Sequence, residues 1–158
     1  MSVVRACTTD VHRVKQLTEE TIRAVYPRYY PSGAVQFFLD HHGEESIAAD
    51  VENGLVYLCL DDDRKVVGTV TIRDHEICRL FVLPAEQGKG YGRELLQYAE
   101  RIAAAQADCI LLDASLPAKA IYLKKGYVST AFHTIETSNG DYLCYDVMCK
   151  HIAADTDN

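Results

Sequence analysis

Ile77-Cys78-Arg79-Leu80-Phe81-Val82-Leu83-Pro84-Ala85-Glu86-Gln87-Gly88-Lys89-Gly90-Tyr91-Gly92-Arg93-Glu94-Leu95-Leu96 is the stretch on which the fold turns. An apolar-leaning run climbs to Pro84, which has no amide to donate and so cannot continue a central strand. A short turn follows, in which Gly88, Gly90 and Gly92 alternate with Lys89 and Tyr91. Leu95, Leu96, Ala99, Ile102 and Ala103 then recur at helical spacing, the mark of one apolar helix face. The order is strand, glycine-rich turn, helix.

Such a turn favours an anion. The first amides of a helix lack carbonyl partners within it, and the helix dipole makes that end partly positive. Glycines bend the chain and keep side chains out of the way of a ligand approaching those amides. Lys89 and Arg93 add positive charge at the same place. Two common phosphate loops do not fit. The P-loop needs two glycines separated by four residues, then Lys and a hydroxyl residue, and the Rossmann turn needs its third glycine three positions after the second. Gly88, Gly90 and Gly92 are evenly spaced, so neither pattern is met.

The stretch resembles the acetyl-coenzyme A loop of the GCN5-related N-acetyltransferases (GNAT), in which Gln or Arg is followed by two residues, Gly, one residue, then Gly or Ala. Gln87, Gly90 and Gly92 satisfy that pattern in the required strand–turn–helix setting. A second stretch, Leu112 to Tyr127, resembles the family's other coenzyme A motif: a strand ending in a small polar residue, a helix with Ala and an aromatic, and a closing Gly-aromatic pair. Many members carry Asn where this chain has Ser115.

Composition sets the outer bounds. A chain of 158 residues is most simply one domain, expected over 1–150 with a polar tail at 151–158. Hydrophobic residues make up 48% and charged residues 25%, an ordinary soluble mix. No run approaches the ~20 apolar residues of a membrane span, and no signal peptide is evident, so the expectation is a cytoplasmic protein without a membrane partner. A net charge of −7 argues against nucleic acid as partner and is compatible with a cationic amine. The six cysteines, Cys7, Cys59, Cys78, Cys109, Cys144 and Cys149, include no C-x-x-C pair. Their scatter reads as small structural residues rather than a zinc site or disulfide framework, so no metal is expected.

Along the chain, a first strand is expected over 2–7, followed by a helix from Thr8 to Pro27 and helices opening at Ser32 and Glu44. Strands follow over 55–60, 65–73 and 76–82, then the long helix, a strand over 109–114, a helix ending at Gly126, and strands over 127–133 and 142–150. This is an α+β order: about seven strands in a mixed, mostly antiparallel sheet flanked by helices. The resemblance adds that the fourth and fifth strands splay apart, leaving a gap for the pantetheine arm.

The resemblance also implies roles. The backbone of Leu80, Phe81 and Val82 would receive the pantetheine arm. Gln87, Gly88, Lys89, Gly90, Tyr91, Gly92 and Arg93 would hold the pyrophosphate, with Ser115 as a further contact. Tyr122 aligns with the tyrosine that many members use as general acid. Glu76 stands where some members carry a glutamate that deprotonates the amine through water. The alternative for Glu76 is a solvated strand-end carboxylate, and His75 and His133 are lesser candidates. Strand alternation places Glu76 with Cys78, Leu80 and Val82 on one face. A covalent route through Cys78 would need an activating base, and none is apparent. Tyr26, Arg28, Tyr29 and Tyr30 either line the acceptor side or form a surface aromatic loop.

The expected function is an N-acetyltransferase moving the acetyl group of acetyl-coenzyme A directly to a primary amine of a small molecule or peptide. The rival reading is a non-catalytic acyl-coenzyme A sensor or interaction domain on the same fold. Dimerisation through the last strand is common in similar proteins, so a homodimer is also among the expectations.

Overall fold

A computed structural model describes residues 1–152. Seven strands form a single sheet in the order β1-β2-β3-β4-β5-β7-β6. They are β1 (Ser2–Arg5), β2 (Val56–Leu60), β3 (Val66–Arg73), β4 (Glu76–Val82), β5 (Cys109–Ala114), β6 (Val128–Glu136) and β7 (Tyr142–His151). Every pairing is antiparallel except β4 with β5. The helices are α1 (Val11–Val25), α2 (Ser32–His41), α3 (Glu44–Glu52), α4 (Tyr91–Ala104) and α5 (Leu116–Lys124). The expected α+β architecture is what the chain adopts. The first strand stops at Arg5, two residues short of the expected end, because a 3-10 turn begins at Thr8. The expected polar tail lies outside the described residues beyond Ile152, and His151 closes β7.

Two cores lie on opposite faces of the sheet. Under α1, α2 and α3, Val14, Leu17, Ile22, Leu39 and Ile47 pack on Val56, Leu58, Leu60 and Phe81. The buried α1 residues, Val14, Leu17, Thr18, Thr21 and Ile22, follow i, i+3, i+4, i+7, i+8, which turns one stripe of the helix inward. Under α4 and α5, Leu95, Leu96, Ala99 and Tyr122 pack on Val70, Ile77, Ile110, Leu112 and Met148. Every residue of β2 is buried because both of its faces are covered, as its unbroken apolar run implies. Gly68 on β3 is a close approach: a Cβ there would stand 2.8 Å from the Leu95 methyl and 3.0 Å from the Phe81 carbonyl. The absent side chain is what lets α4 settle on β3.

The ladder between β3 and β4 contains an irregularity that sequence alternation does not foresee. Val70 pairs with Leu80, but Ile72 pairs with Ile77, so β4 carries one residue more than β3 around Cys78 and Arg79. This is a β-bulge, which bends and twists the strand that bears it. It also inverts the alternation. Ile77, Leu80 and Val82 face α4, whereas Arg79 and Phe81 face α1–α3. Glu76 therefore lies on the face of Arg79 and Phe81, opposite Leu80 and Val82, and the expectation of a common face is corrected.

The cysteines divide. Cys59 is buried, Cys78 and Cys144 are half-buried, and Cys7 is exposed. Cys109 and Cys149 are joined by a disulfide across the β5–β7 ladder, with Cα atoms 6.4 Å apart, which corrects the expectation that the cysteines form no disulfide. The reading of all six as isolated structural residues holds for neither Cys7 nor this pair. Among the described residues, no helix is long and apolar enough to cross a membrane.

Candidate active site

β4 and β5 pair only at Glu76↔Leu111 and Ile77↔Leu112, then part. The bulge bends β4 where the separation begins, which supplies a physical cause for the splay. From Cys78 to Val82 the backbone edge of β4 facing β5 has no strand against it. The gap opens into a cleft of about 940 Å³. That volume suits a ligand larger than an ordinary metabolite.

One end of the cleft is the glycine turn. Gly88 and Gly90 adopt φ of +79° and +95°, in the left-handed region where a side chain is strained. Gly90 is the N-cap of α4 and offers no side chain to its first amides. Those amides are left for a ligand, at the positive end of a helix of 14 residues. Gln87 donates from Nε2 to the Val82 carbonyl at 3.0 Å and so ties the turn to the end of β4. Lys89 is held by Glu86 at 2.8 Å, which reduces its free charge. Arg93 also lines the cleft.

The middle is crossed by tyrosines. The Tyr26 hydroxyl donates to Ser115 Oγ at 3.3 Å. Ser115 is the N-cap of α5, yet its hydroxyl does not cap the helix. Tyr30 caps it instead, its hydroxyl accepting from the Leu116 amide at 2.8 Å and donating to the Cys144 carbonyl at 2.9 Å. Burial pushes the Tyr30 phenol up to about 12. Ser115 Oγ is thereby released from capping and turned to the cleft. Tyr122 lines the same wall, its ring packed edge-on against Tyr127 at 5.5 Å. Burial, reinforced by Tyr26, holds the Tyr122 phenol above its ordinary pKa. Tyr122 is therefore the protonated form across the neutral range.

The other end lies under α2. Phe37, Phe38, His41, Leu143 and Tyr145 supply apolar and aromatic wall, while Glu76, Asp113 and Arg73 supply charge. Burial raises the Asp113 carboxyl above its usual range, with His133 and His41 opposing the shift. Behind this wall, Arg79 (3% exposed) is buried against Asp50 at 3.1 Å, and Arg73 forks onto both Asp50 oxygens at 2.9 Å. Arg79 Nε also donates to His42 Nδ1 at 3.2 Å. Burial and then Arg79 drive His42 down to about 3, so it is neutral. Cys78 lines the cleft, but burial and then Glu76 push its thiol up to about 11. A protonated thiol is a poor nucleophile.

The cleft thus brings together Glu76, Leu80, Phe81, Val82, Gln87, Gly88, Lys89, Gly90, Gly92, Arg93, Ser115, Tyr122 and Tyr26. Tyr91, Arg28, Tyr29 and Tyr30 are not part of its lining. Tyr29 is exposed and Tyr30 is a helix cap. Sequence reading assigned nothing to Asp113, Arg73 or the α2 aromatics. A signal existed for Asp113, the one charge in an apolar strand. For Arg73 and Phe37 the signal is tertiary.

The family profile described as the acetyltransferase (GNAT) domain matches residues 17–140. The chain belongs to the GNAT acetyltransferase family. Among solved structures, the GCN5-related N-acetyltransferase of Rhodopseudomonas palustris superposes with a TM-score of 0.86 at 22% identity, over 96% of this chain and 95% of that one. The PaiA N-acetyltransferase of Thermoplasma acidophilum, in complex with coenzyme A, gives 0.71 at 17% identity over 96% and 98%. YncA of Salmonella typhimurium, with its cofactor acetyl-CoA, gives 0.69 at 18% identity over 99% and 98%. A search of the curated proteins finds no match.

Proposed function

We propose that the protein transfers the acetyl group of acetyl-coenzyme A directly to a primary amine. The observation that carries the reading is the divergence of β4 and β5 beside an uncapped helix N-terminus, with Tyr122 on the wall between them. The amides from Gly88 to Arg93 hold the pyrophosphate, and the free β4 edge at Leu80, Phe81 and Val82 pairs with the pantetheine arm. Ser115 adds a hydrogen bond. The structures from Thermoplasma and Salmonella carry coenzyme A and acetyl-CoA respectively, which supports the same ligand here.

The thioester supplies an activated acyl carbon. Glu76 takes the proton that the amine sheds, through water, so that nitrogen keeps the lone pair it attacks with. Backbone amides of the unpaired β4 edge stabilise the negative charge on the carbonyl oxygen. Tyr122 gives its phenolic proton to the departing thiolate, and the resulting phenolate is reprotonated from solvent. The acceptor enters beneath α2, between the aromatic wall and the carboxylates of Glu76 and Asp113. An amine with an apolar body fits that wall.

Acetyl-coenzyme A at a hundred times its dissociation constant should stabilise the native state by about 2.7 kcal/mol. Gly90→Glu places a carboxylate where the pyrophosphate would lie, and it should abolish the shift. The strained φ will also lower the variant's own melting point, so the comparison is of shifts, not of melting points. A well-folded wild type that shows no shift overturns the reading.

The last strand, β7, lies between β5 and β6 with both edges paired, so it cannot carry the expected dimer contact, and we propose instead a homodimer built on β6. This strand lies at the end of the sheet with one edge unpaired, and Val128 and Phe132 are 56% and 60% exposed on it. A second copy would continue the sheet and cover them. Light scattering should give twice the monomer mass for wild type and the monomer mass for Phe132→Lys. A monomeric wild type removes the proposal.

A further inference from the structure

The β5–β7 ladder assembles a group that no sequence spacing announces. Cys109 lies opposite His151, and Leu111 lies opposite Cys149. The Ile152 amide donates to the Asp108 carbonyl at 2.9 Å, so those two residues form a hydrogen-bonded pair. By alternation along an antiparallel ladder, Cys109 and His151 form a non-hydrogen-bonded pair, the kind in which side chains come closest. Cys149 is two residues from His151 on β7, and it sits diagonally from Cys109. All three side chains therefore rise from one face, the face away from α4, because Ile110, between Cys109 and Leu111, points into the core beneath that helix and Lys150, between Cys149 and His151, reaches Glu100 on it. The two sulfurs and an imidazole nitrogen lie within 4.8 Å of one another.

We propose that, when the Cys109–Cys149 disulfide is reduced, Cys109, Cys149 and His151 bind a borderline-soft divalent cation of the zinc class. Two thiolates neutralise the charge of the ion, and imidazole completes a three-ligand protein set with water in the fourth position. Hard cations that prefer oxygen have no oxygen ligand in this set. Burial is graded in the sense such a site needs: Cys149 is buried, Cys109 half-buried and His151 exposed, which leaves one side open for entry and for water. At a Zn–S distance of about 2.3 Å, tetrahedral geometry requires sulfurs roughly 3.8 Å apart. Reduction of the disulfide frees the two sulfurs to take up that separation. The site would fasten the end of β7 to the start of β5. It is remote from the acetyl-transfer cleft, since none of the three residues lines that cleft.

The test uses the full chain, reduced and stripped of metal under anaerobic conditions. Titration with Zn2+ against a chromogenic chelator should give one equivalent per chain, and Co2+ should produce a thiolate-to-metal charge-transfer band. Both should be lost in Cys109→Ser and in Cys149→Ser, weakened in His151→Ala and unchanged in Cys144→Ser. Zn2+ should raise the melting temperature of wild type and not that of the two cysteine variants. Serine is nearly isosteric with cysteine, and the cobalt spectrum of wild type requires no variant at all. Absence of stoichiometric binding in folded, reduced wild type overturns the proposal. So does equal binding by the cysteine variants, or a Cys109–Cys149 disulfide that persists in reductant. These readouts involve no acetyl transfer, so their failure leaves the proposed activity untouched.

Discussion

Tyr122→Phe should lower kcat by about a hundredfold or more while leaving the acetyl-coenzyme A thermal shift intact. A positioned proton donor contributes on the order of 10² to 10⁴ in rate. The substitution removes one oxygen and keeps the ring, so the edge-on contact with Tyr127 survives. Cofactor binding rests on the glycine turn and the β4 edge and should not change. The raised pKa of Tyr122 adds a second check. An acid of ordinary phenol strength would lose its proton near pH 10 and take the rate down with it. Burial moves that limb upward, so wild-type turnover should persist past pH 10, where an ordinary phenol would have lost half its protons. Unchanged turnover in the phenylalanine variant would sink the assigned role. Loss of the thermal shift would instead make Tyr122 a binding residue.

The parts of this site that sequence reading reached are those built from local requirements. A glycine turn between an apolar run and an amphipathic helix depends on φ values and periodicity within a few residues. Gly88, Gly90 and the start of α4 accordingly lie where expected. Pro84 and Pro117 mark element ends for the same local reason. What sequence reading missed depends on register between distant strands. Strict alternation placed Glu76 with Leu80, and only the pairing of Ile72 with Ile77 reveals the extra residue that inverts it. Tyr30 looked like a candidate for the acceptor side because it sits in a tyrosine-rich loop. Its hydroxyl is consumed by an amide 86 residues away. The meeting of Cys109 with Cys149 and His151 is again a consequence of ladder register.

Arg79 illustrates the same point and carries the second large expected effect. It stood as a charge in an apolar run, with nothing local to show that it is buried. In the structure Asp50 (5% exposed) is its counter-charge, with Thr71 Oγ1 accepting a further hydrogen bond at 3.0 Å. Asp50→Ala should cost about 3–5 kcal/mol, because it leaves a buried guanidinium without its anion. The marginal stability of a domain this size makes that a large fraction of the total. Chemical denaturation measures it directly, and a cost under about 1 kcal/mol would show that water reaches Arg79.

The same network predicts how acid acts on the fold. His42 accepts from Arg79 through Nδ1, so it cannot take a proton there without losing that bond. Its native pKa is about 3, against 6.5 in the unfolded chain. As pH falls below about 6.5, the unfolded chain gains a proton that the native chain refuses, so stability is lost progressively between about 6.5 and 3. The loss from this group should reach roughly 2 kcal/mol at pH 5 and roughly 4 kcal/mol near pH 3. His42→Gln keeps an acceptor for Arg79 and removes the titration. Between about pH 7.5 and 5 wild type should therefore lose about 2 kcal/mol more than the variant, whatever other groups titrate in both. Equal losses would mean that His42 becomes protonated in the native state. Arg79 would then have surrendered its acceptor, and the wall behind Glu76 would be looser than its hydrogen bonds imply.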